Sequence, residues 1–380
     1  MPREAPGTAV DNVGHSWRII RTVSEANQRT NLASVRPRHL GRADTLVRYA
    51  DHPMVIAARP TQHDRPLRLR RVRRLLRPLR PRLKLVRALF VMLGGYLLTA
   101  VVPARFDRHL SRSLGWMYLI THRRKIQTVG SVMRTRLTDR GVSGDWEALA
   151  RDNMRMYVEE DLGRIRGLHR GGWRPEIELV GIDELESALA LGHGAVLWRM
   201  SFASSPIVKV ALWDAGFPLV HLSSPLHGST RWQGRYWRRY FTRWHAKAED
   251  RFLKERVVLA RTGNLEYLRV LLSRLEANEV VSIFGDQAGR QNVEMPVVGA
   301  PIRFATGSPS LMRRVGCALL PVHVVWLGPQ KYRVVIEPAI ESDPGLARDE
   351  YAKQAVAQFA KRYEQRVLEH PASWRLWAAV

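Results

Sequence analysis

Three short stretches of the chain carry side chains able to do chemistry. "RMSFASS" (199–205) offers Arg199 and the hydroxyls of Ser201, Ser204 and Ser205. "HLSSPLHGSTR" (221–231) offers His221, His227 and Arg231, and "GDQAGR" (285–290) offers Asp286, Gln287 and Arg290. A serine hydroxyl attacks a carbonyl only when a base stands within about 3 Å to take its proton. Imidazole and carboxylate are the side chains here that act as such bases. His227, beside Gly228 in a turn that also holds Ser223, Ser224 and Arg231, is the favoured base; Asp286 and Ser201 complete the candidate catalytic set. Arg199, Ser204, His221, Arg231, Gln287 and Arg290 are the candidates for holding a substrate. Each has a plainer alternative. His227 also suits an ordinary polar loop, and Asp286 with Gln287 also suits a turn or helix cap. The serines before Pro206 also read as a helix start, with Ser204 or Ser205 as N-cap and Pro in the first turn.

Other chemistries lack their spacing. There is no paired-cysteine motif, no H-E-x-x-H and no Gly-rich phosphate loop opening a helix, so neither a metal nor a bound redox cofactor is expected. The histidines are scattered, and His323, inside the apolar run "LLPVHVVW", reads as a core residue. Cys317 is the single cysteine, which excludes an internal disulfide and fits a reducing compartment.

The elements that must position these residues are legible as an alternation. Short apolar runs at 177–180, 195–198, 218–222, 256–260, 280–284, 319–326 and 332–337 predict strands. Between and after them, helices are predicted over 182–191, 204–214, 264–277, 307–315 and 348–369. Several strands are continuously apolar and follow helices, which predicts an α/β fold whose mixed, mostly parallel sheet is covered on both faces. Its body begins near residue 130. In such sheets ligands gather beyond the carboxyl ends of strands, which is where the three polar stretches fall.

The net charge of +26 is concentrated at the N-terminal end: residues 1–140 hold 29 Lys/Arg against 8 Asp/Glu. Residues 1–64 are polar and read as poorly ordered. Residues 65–84 carry ten Lys/Arg and no acid, and 88–104 form an uncharged apolar run inside an anchoring segment, 85–104. A polybasic stretch abutting an apolar helix is attracted to an anionic membrane face, at about 1 kcal/mol per cation. Seventeen residues suit a short span or a helix lying in one leaflet equally well. The basic stretch holds no aromatic on which a base would stack, so nucleic acid is not the expected partner. No secretory signal is evident at the N-terminus. A second basic run, "RWQGRYWRRYFTRWH" (231–245), interleaves rings and Arg. It fits an interfacial surface or a dock for an acidic protein as well as a core stripe.

Over roughly residues 85–380 the order of features resembles the bacterial lipid A biosynthesis acyltransferase family, within the lysophospholipid acyltransferases. An apolar anchor precedes "LGWMYLITHRRKI", and the strand "GAVLW" precedes the turn at 199–205. "NEVVSIFGDQAGRQNVEMPVVGAPIRFATGSPSLMRRVGCALLPVHVV" then supplies a strand, Asp-Gln, a Gly and Pro turn and a helix, and "YEQRVLEHPASWRLW" closes the chain. The resemblance implies a glycerolipid acyltransferase-like α/β domain over 105–380 behind a membrane-associated helix. It also implies transfer of a fatty acyl chain from acyl-carrier protein or acyl-CoA to a lipid or lipid-linked saccharide hydroxyl, at the cytoplasmic face of the inner membrane. The family's site is a His-x4-Asp/Glu dyad, in which the imidazole deprotonates the acceptor and the carboxylate orients it. Laid on that pattern, Ser201 stands where the His belongs and Pro206 where the acid belongs. Three readings follow: an acyltransferase with a relocated base, a serine nucleophile, or a non-catalytic relative that binds or delivers a lipid.

Overall fold

A computed structural model describes residue 90 and residues 92–224, 246–259, 265–287 and 289–380. The polar and polybasic N-terminal segments, the start of the anchoring segment, and the 231–245 run lie outside them. Four helices come first: α1 (92–101), α2 (Asp107–Thr121), α3 (Arg123–Thr138) and α4 (Trp146–Arg166). Then β1 (Glu176–Val180), α5 (Ile182–Ala190), β2 (Ala195–Arg199), α6 (Ser205–Asp214) and β3 (Leu219–Ser223) alternate. A short helix, α7 (246–250), leads into β4 (Leu253–Val258), α8 (Glu266–Glu276) and β5 (Val280–Phe284). The chain closes with a hairpin of β6 (Asn292–Val297) and β7 (Ala300–Ala305), then α9 (Gly307–Val315), β8 (Ala318–Gly328), β9 (Lys331–Ile336) and α10 (Arg348–Glu369).

The main sheet has seven strands in the order β1-β9-β8-β2-β5-β3-β4. Its pairings are parallel except β8 with β9. This is the mixed, mostly parallel sheet expected from the apolar runs. β2 is buried at every position, as a strand between two parallel neighbours with helices on both faces must be. One face packs against α3, α8, α9 and α10 around Trp198, Phe304 and Phe359; the other packs against α5 and α6 around Leu197, Ile207 and Val334. The stripe Tyr351, Ala355, Phe359, Tyr363, Val367 recurs every fourth residue and is the buried face of α10. The β6–β7 hairpin forms a separate two-stranded sheet.

The apolar N-terminal helix is docked on the body. Arg166, buried on α4, donates to the carbonyls of Thr99 and Val102 at the end of α1 and pairs with Asp107 at the start of α2. Gly95 lies against Ile165: a Cβ there would stand 2.8 Å from its Cδ1. Among the described residues no helix is long and apolar enough to cross a membrane.

Candidate active site

Because β2 lies between β8 and β5 with Arg199 level with Val322 and Phe284, residues 200–201 and 285–286 leave the sheet side by side. The exit is fixed by main-chain bonds. Met200 N donates to Val322 O at 2.8 Å, and Gly285 N donates to Arg199 O at 2.9 Å. Gly285 fits where no larger residue does: a Cβ would stand 2.5 Å from Trp198 Nε1 and 2.7 Å from the Phe359 ring. Those two rings stack at 3.9 Å, directly under the site.

Ser201 and Asp286 meet there. Ser201 Oγ donates to Asp286 Oδ1 at 2.9 Å, and Ser201 N donates to Oδ2 at 2.9 Å. Tyr363 of α10 donates its hydroxyl to Oδ2 at 2.6 Å, and Trp374 Nε1 donates to that hydroxyl at 2.9 Å. Both Ser201 and Asp286 are half-buried. Burial pushes the Asp286 carboxyl up from the ordinary carboxylate range, against the opposing pull of the Tyr363 and Ser201 hydrogen bonds. Burial and the Asp286 charge together push the Tyr363 phenol well up, so it stays a donor. The C-terminal tail is tied over this cluster: Arg375 N donates to Ser201 O at 3.0 Å. Asn153 and Tyr157 of α4 donate to the tail carbonyls of Ala372, Trp374 and Arg375, and Arg375 pairs with Glu160 at 2.5 Å.

The other expected site residues fall into distinct places. Arg199 is the last residue of β2, buried with its guanidinium 4.5 Å from the centre of the Phe284 ring, and burial pushes its pKa down to about 10. Ser204 holds the N-cap position of α6 without capping it; its Oγ is buried and has no hydrogen-bond partner among the described residues. Pro206 occupies the first turn, as a helix start predicts. His221 is buried in mid-strand, level with Ser282 of β5 and hence with Leu197 of β2, four residues short of Ser201. It meets the Phe284 ring edge-on and is not part of the Ser201–Asp286 pair. Gln287 and Arg290 are exposed on the loop after β5. His227 and Arg231 lie outside the described residues, as does the side chain of Ser205. His323 is a core residue, its Nδ1 3.1 Å from Glu337, which Arg366 also bonds at 2.9 Å. Among the described residues no three His, Cys, Asp or Glu side chains are grouped to hold a metal ion.

The sequence profile of the bacterial lipid A biosynthesis acyltransferases matches residues 152–378, which include every member of this cluster. The chain belongs to that family. Two phosphatidylinositol mannoside acyltransferases, from the CDC 1551 / Oshkosh and H37Rv strains of Mycobacterium tuberculosis, are each 28% identical to it over 210 residues. The match covers 52% of this chain and 57% of theirs, so it spans little more than half of those relatives. A crystal structure of the 1-acyl-sn-glycerophosphate acyltransferase PlsC from Thermotoga maritima aligns with 72% of this chain and all of its own. That alignment has 14% identity and a TM-score of 0.32.

On the dyad pattern that the resemblance implies, Ser201 and Pro206 stand in place of the His and the acid. The carboxylate that contacts Ser201 arrives from the neighbouring strand, on Asp286, rather than from the first turn of α6. Tyr363, Trp374 and Asn153 escaped sequence reasoning. The one available signal was Tyr363 on the apolar stripe of α10, since a buried phenol needs a hydrogen-bond partner.

Proposed function

We propose that this chain transfers a fatty acyl group from a thioester donor, acyl-carrier protein or acyl-CoA, to a hydroxyl of a lipid or lipid-linked saccharide at the cytoplasmic face of the inner membrane. The observation that carries the reading is the hydrogen-bonded Ser201–Asp286 pair at the carboxyl ends of adjacent parallel strands, within the matched region. A carboxylate offers about four acceptor positions. Ser201 Oγ, Ser201 N and Tyr363 donate to that of Asp286, and the main-chain N–H of Asp286 itself also favours its charged form. A carboxylate raised by burial is a stronger base than an ordinary one, and thiolate is a good leaving group, so general-base transfer without imidazole is chemically coherent. The mannoside acceptors named for the relatives favour a sugar hydroxyl of a glycolipid.

An exposed apolar surface supports the lipid-surface part of the reading. Leu93, Leu97 and Val101 of α1 are 55–81% exposed, and Trp116, Met117 and Ile120 of α2 are 45–66% exposed. Exposed Arg108, Arg112, Arg123 and Arg124 border them. Rings and aliphatic chains at headgroup depth with Arg beside anionic lipid are the chemistry of a helix lying in one leaflet.

The test is a mass profile of membrane lipids from cells lacking the protein, cells carrying it and cells carrying Asp286→Asn. One lipid class should lose an acyl mass without the protein, regain it with the native chain and fail to regain it with the variant. Restoration by Asp286→Asn would remove Asp286 from the chemistry. An unchanged profile in all strains would favour a family member that binds lipid without acylating it.

A further inference from the structure

We infer that Ser201 is itself acylated during turnover, so that the acyl chain reaches its acceptor through a serine ester. This rests on the acyl-transfer reading and concerns its route. A serine nucleophile needs a base on its hydroxyl and a group that orients the base. Both are present: Ser201 Oγ donates to Asp286 Oδ1 at 2.9 Å, and Tyr363, backed by Trp374, holds the other carboxylate oxygen. The main-chain N–H of Ser201 on Oδ2 fixes the residue at a second point. Ser201 is not fully buried. Two other nucleophiles are poorly placed: Cys317 is buried with its thiol pushed up to about 12, and Lys209 is wholly buried in an ion pair with Glu249.

The atoms balance over two steps. Ser201 Oγ attacks the thioester carbonyl carbon while its proton passes to Asp286 Oδ1. The C–S bond breaks, and the departing thiolate takes that proton as the free thiol, leaving an ester on Ser201. The acceptor hydroxyl then attacks the ester carbonyl, giving its proton to Asp286. The C–Oγ bond breaks, and Ser201 recovers the proton. Nothing is oxidised or reduced. The carbonyl oxygen is negative in both transition states, and α6, a ten-residue helix, begins four residues after Ser201. An oxyanion close to that end of the helix would be favoured by its dipole.

The experiment incubates the full chain with palmitoyl-CoA or palmitoyl-acyl-carrier protein, quenches it in acid and weighs the intact protein. Transfer to a lipid extract from cells lacking the protein is measured in parallel. One palmitoyl adduct is expected on the native chain, mapped to Ser201 and discharged on adding the extract. Ser201→Ala should give no adduct, and Asp286→Asn should slow its formation by about 100-fold or more. Ser201→Cys should give an adduct that neutral hydroxylamine removes, as a thioester but not an oxygen ester requires; this variant shows that the position itself is acylated. Transfer by Ser201→Ala at an undiminished rate, or an adduct mapped elsewhere, would overturn the serine route while leaving acyl transfer in place. Neither adduct nor transfer with either donor would sink both.

Discussion

Tyr363→Phe isolates the tuning of Asp286. The substitution deletes one O–H and keeps the ring that packs against Phe202, Phe304 and Phe359 at 5.6–5.9 Å between centroids. In the native chain that O–H donates to Asp286 Oδ2 at 2.6 Å and so favours the ionised carboxylate. A hydrogen bond to a charged group is worth about 1.5–3 kcal/mol, and one pKa unit is about 1.4 kcal/mol. Losing it should therefore raise the Asp286 pKa by about one to two units. The active form is ionised, so the acidic limb of kcat/KM against pH should move to higher pH by that amount. Activity should recover toward the native level on the alkaline side. Stability carries a separate signature: Trp374 is buried, and its Nε1–H loses its acceptor, at about 1–3 kcal/mol. The assay is acyl transfer from palmitoyl-CoA to lipid extract across pH, with urea unfolding of the same samples. A uniform loss of activity at every pH with an unmoved acidic limb would refute the tuning and leave Tyr363 a packing residue only.

Two further perturbations test the buried charges away from the site. Glu159, whose Oε1 accepts from Gln330 N and Tyr332 at 2.8 and 2.7 Å, is pushed up to about 7 by burial. The folded chain then binds more protons than the unfolded one, so stability should fall as pH rises from about 4.5 through 7, by about 3 kcal/mol in all. Glu159→Gln keeps the accepting oxygen and should flatten that slope in urea titrations at successive pH values; an unchanged slope would exonerate Glu159. Lys209 is pushed down to about 8 by burial despite its pairing with Glu249. The folded chain binds fewer protons there, so its contribution should grow as pH rises from about 8 to 10.5. At neutral pH Lys209→Met should cost about 3–5 kcal/mol by removing one partner of a buried ion pair; a loss below 1 kcal/mol would show the pair to be dispensable.

What the sequence disclosed about this site follows from what periodicity encodes. Apolar runs and helix stripes located the main-sheet strands and most helices within a few residues, because β2, β5 and β8 are buried on both faces and read as unbroken apolar text; the β6–β7 hairpin, whose residues alternate between exposed and more buried positions, is not among them. They also placed Ser201 and Asp286 just past strand ends. Periodicity does not state which strands are neighbours, so nothing in "GDQAGR" says that its Asp stands against Ser201. That depends on β5 pairing with β2, 85 residues earlier in the chain. His221 failed to reach the pair for the same reason. Its position within "PLVHL" is clear, yet its level in the sheet is set by the register with Ser282. Arg199 shows a boundary effect: the apolar run ends at Trp198, but the strand continues one residue further and takes the guanidinium inside.

Ser201 and Pro206, which stand where the resemblance implies a His and an acid, are physically linked. An acid in the first turn of α6 would be favoured by the helix dipole and, in the dyad the resemblance implies, would orient an imidazolium. With Ser201 in place of that base, an acid at 206 would have no proton-carrying partner to orient. Pro206 instead meets the demands of a helix start, where its missing N–H costs nothing. The carboxylate is supplied across the sheet, held by three donors from two directions. A merely eroded site would be expected to scatter its polar groups or fill with apolar ones. Here a half-exposed hydroxyl, a carboxylate and a buried phenol remain joined in one hydrogen-bonded line, with the C-terminal tail tied down beside it. That line is oriented for moving a proton to and from Ser201, and it is the reason to look for chemistry at Ser201 rather than for its loss.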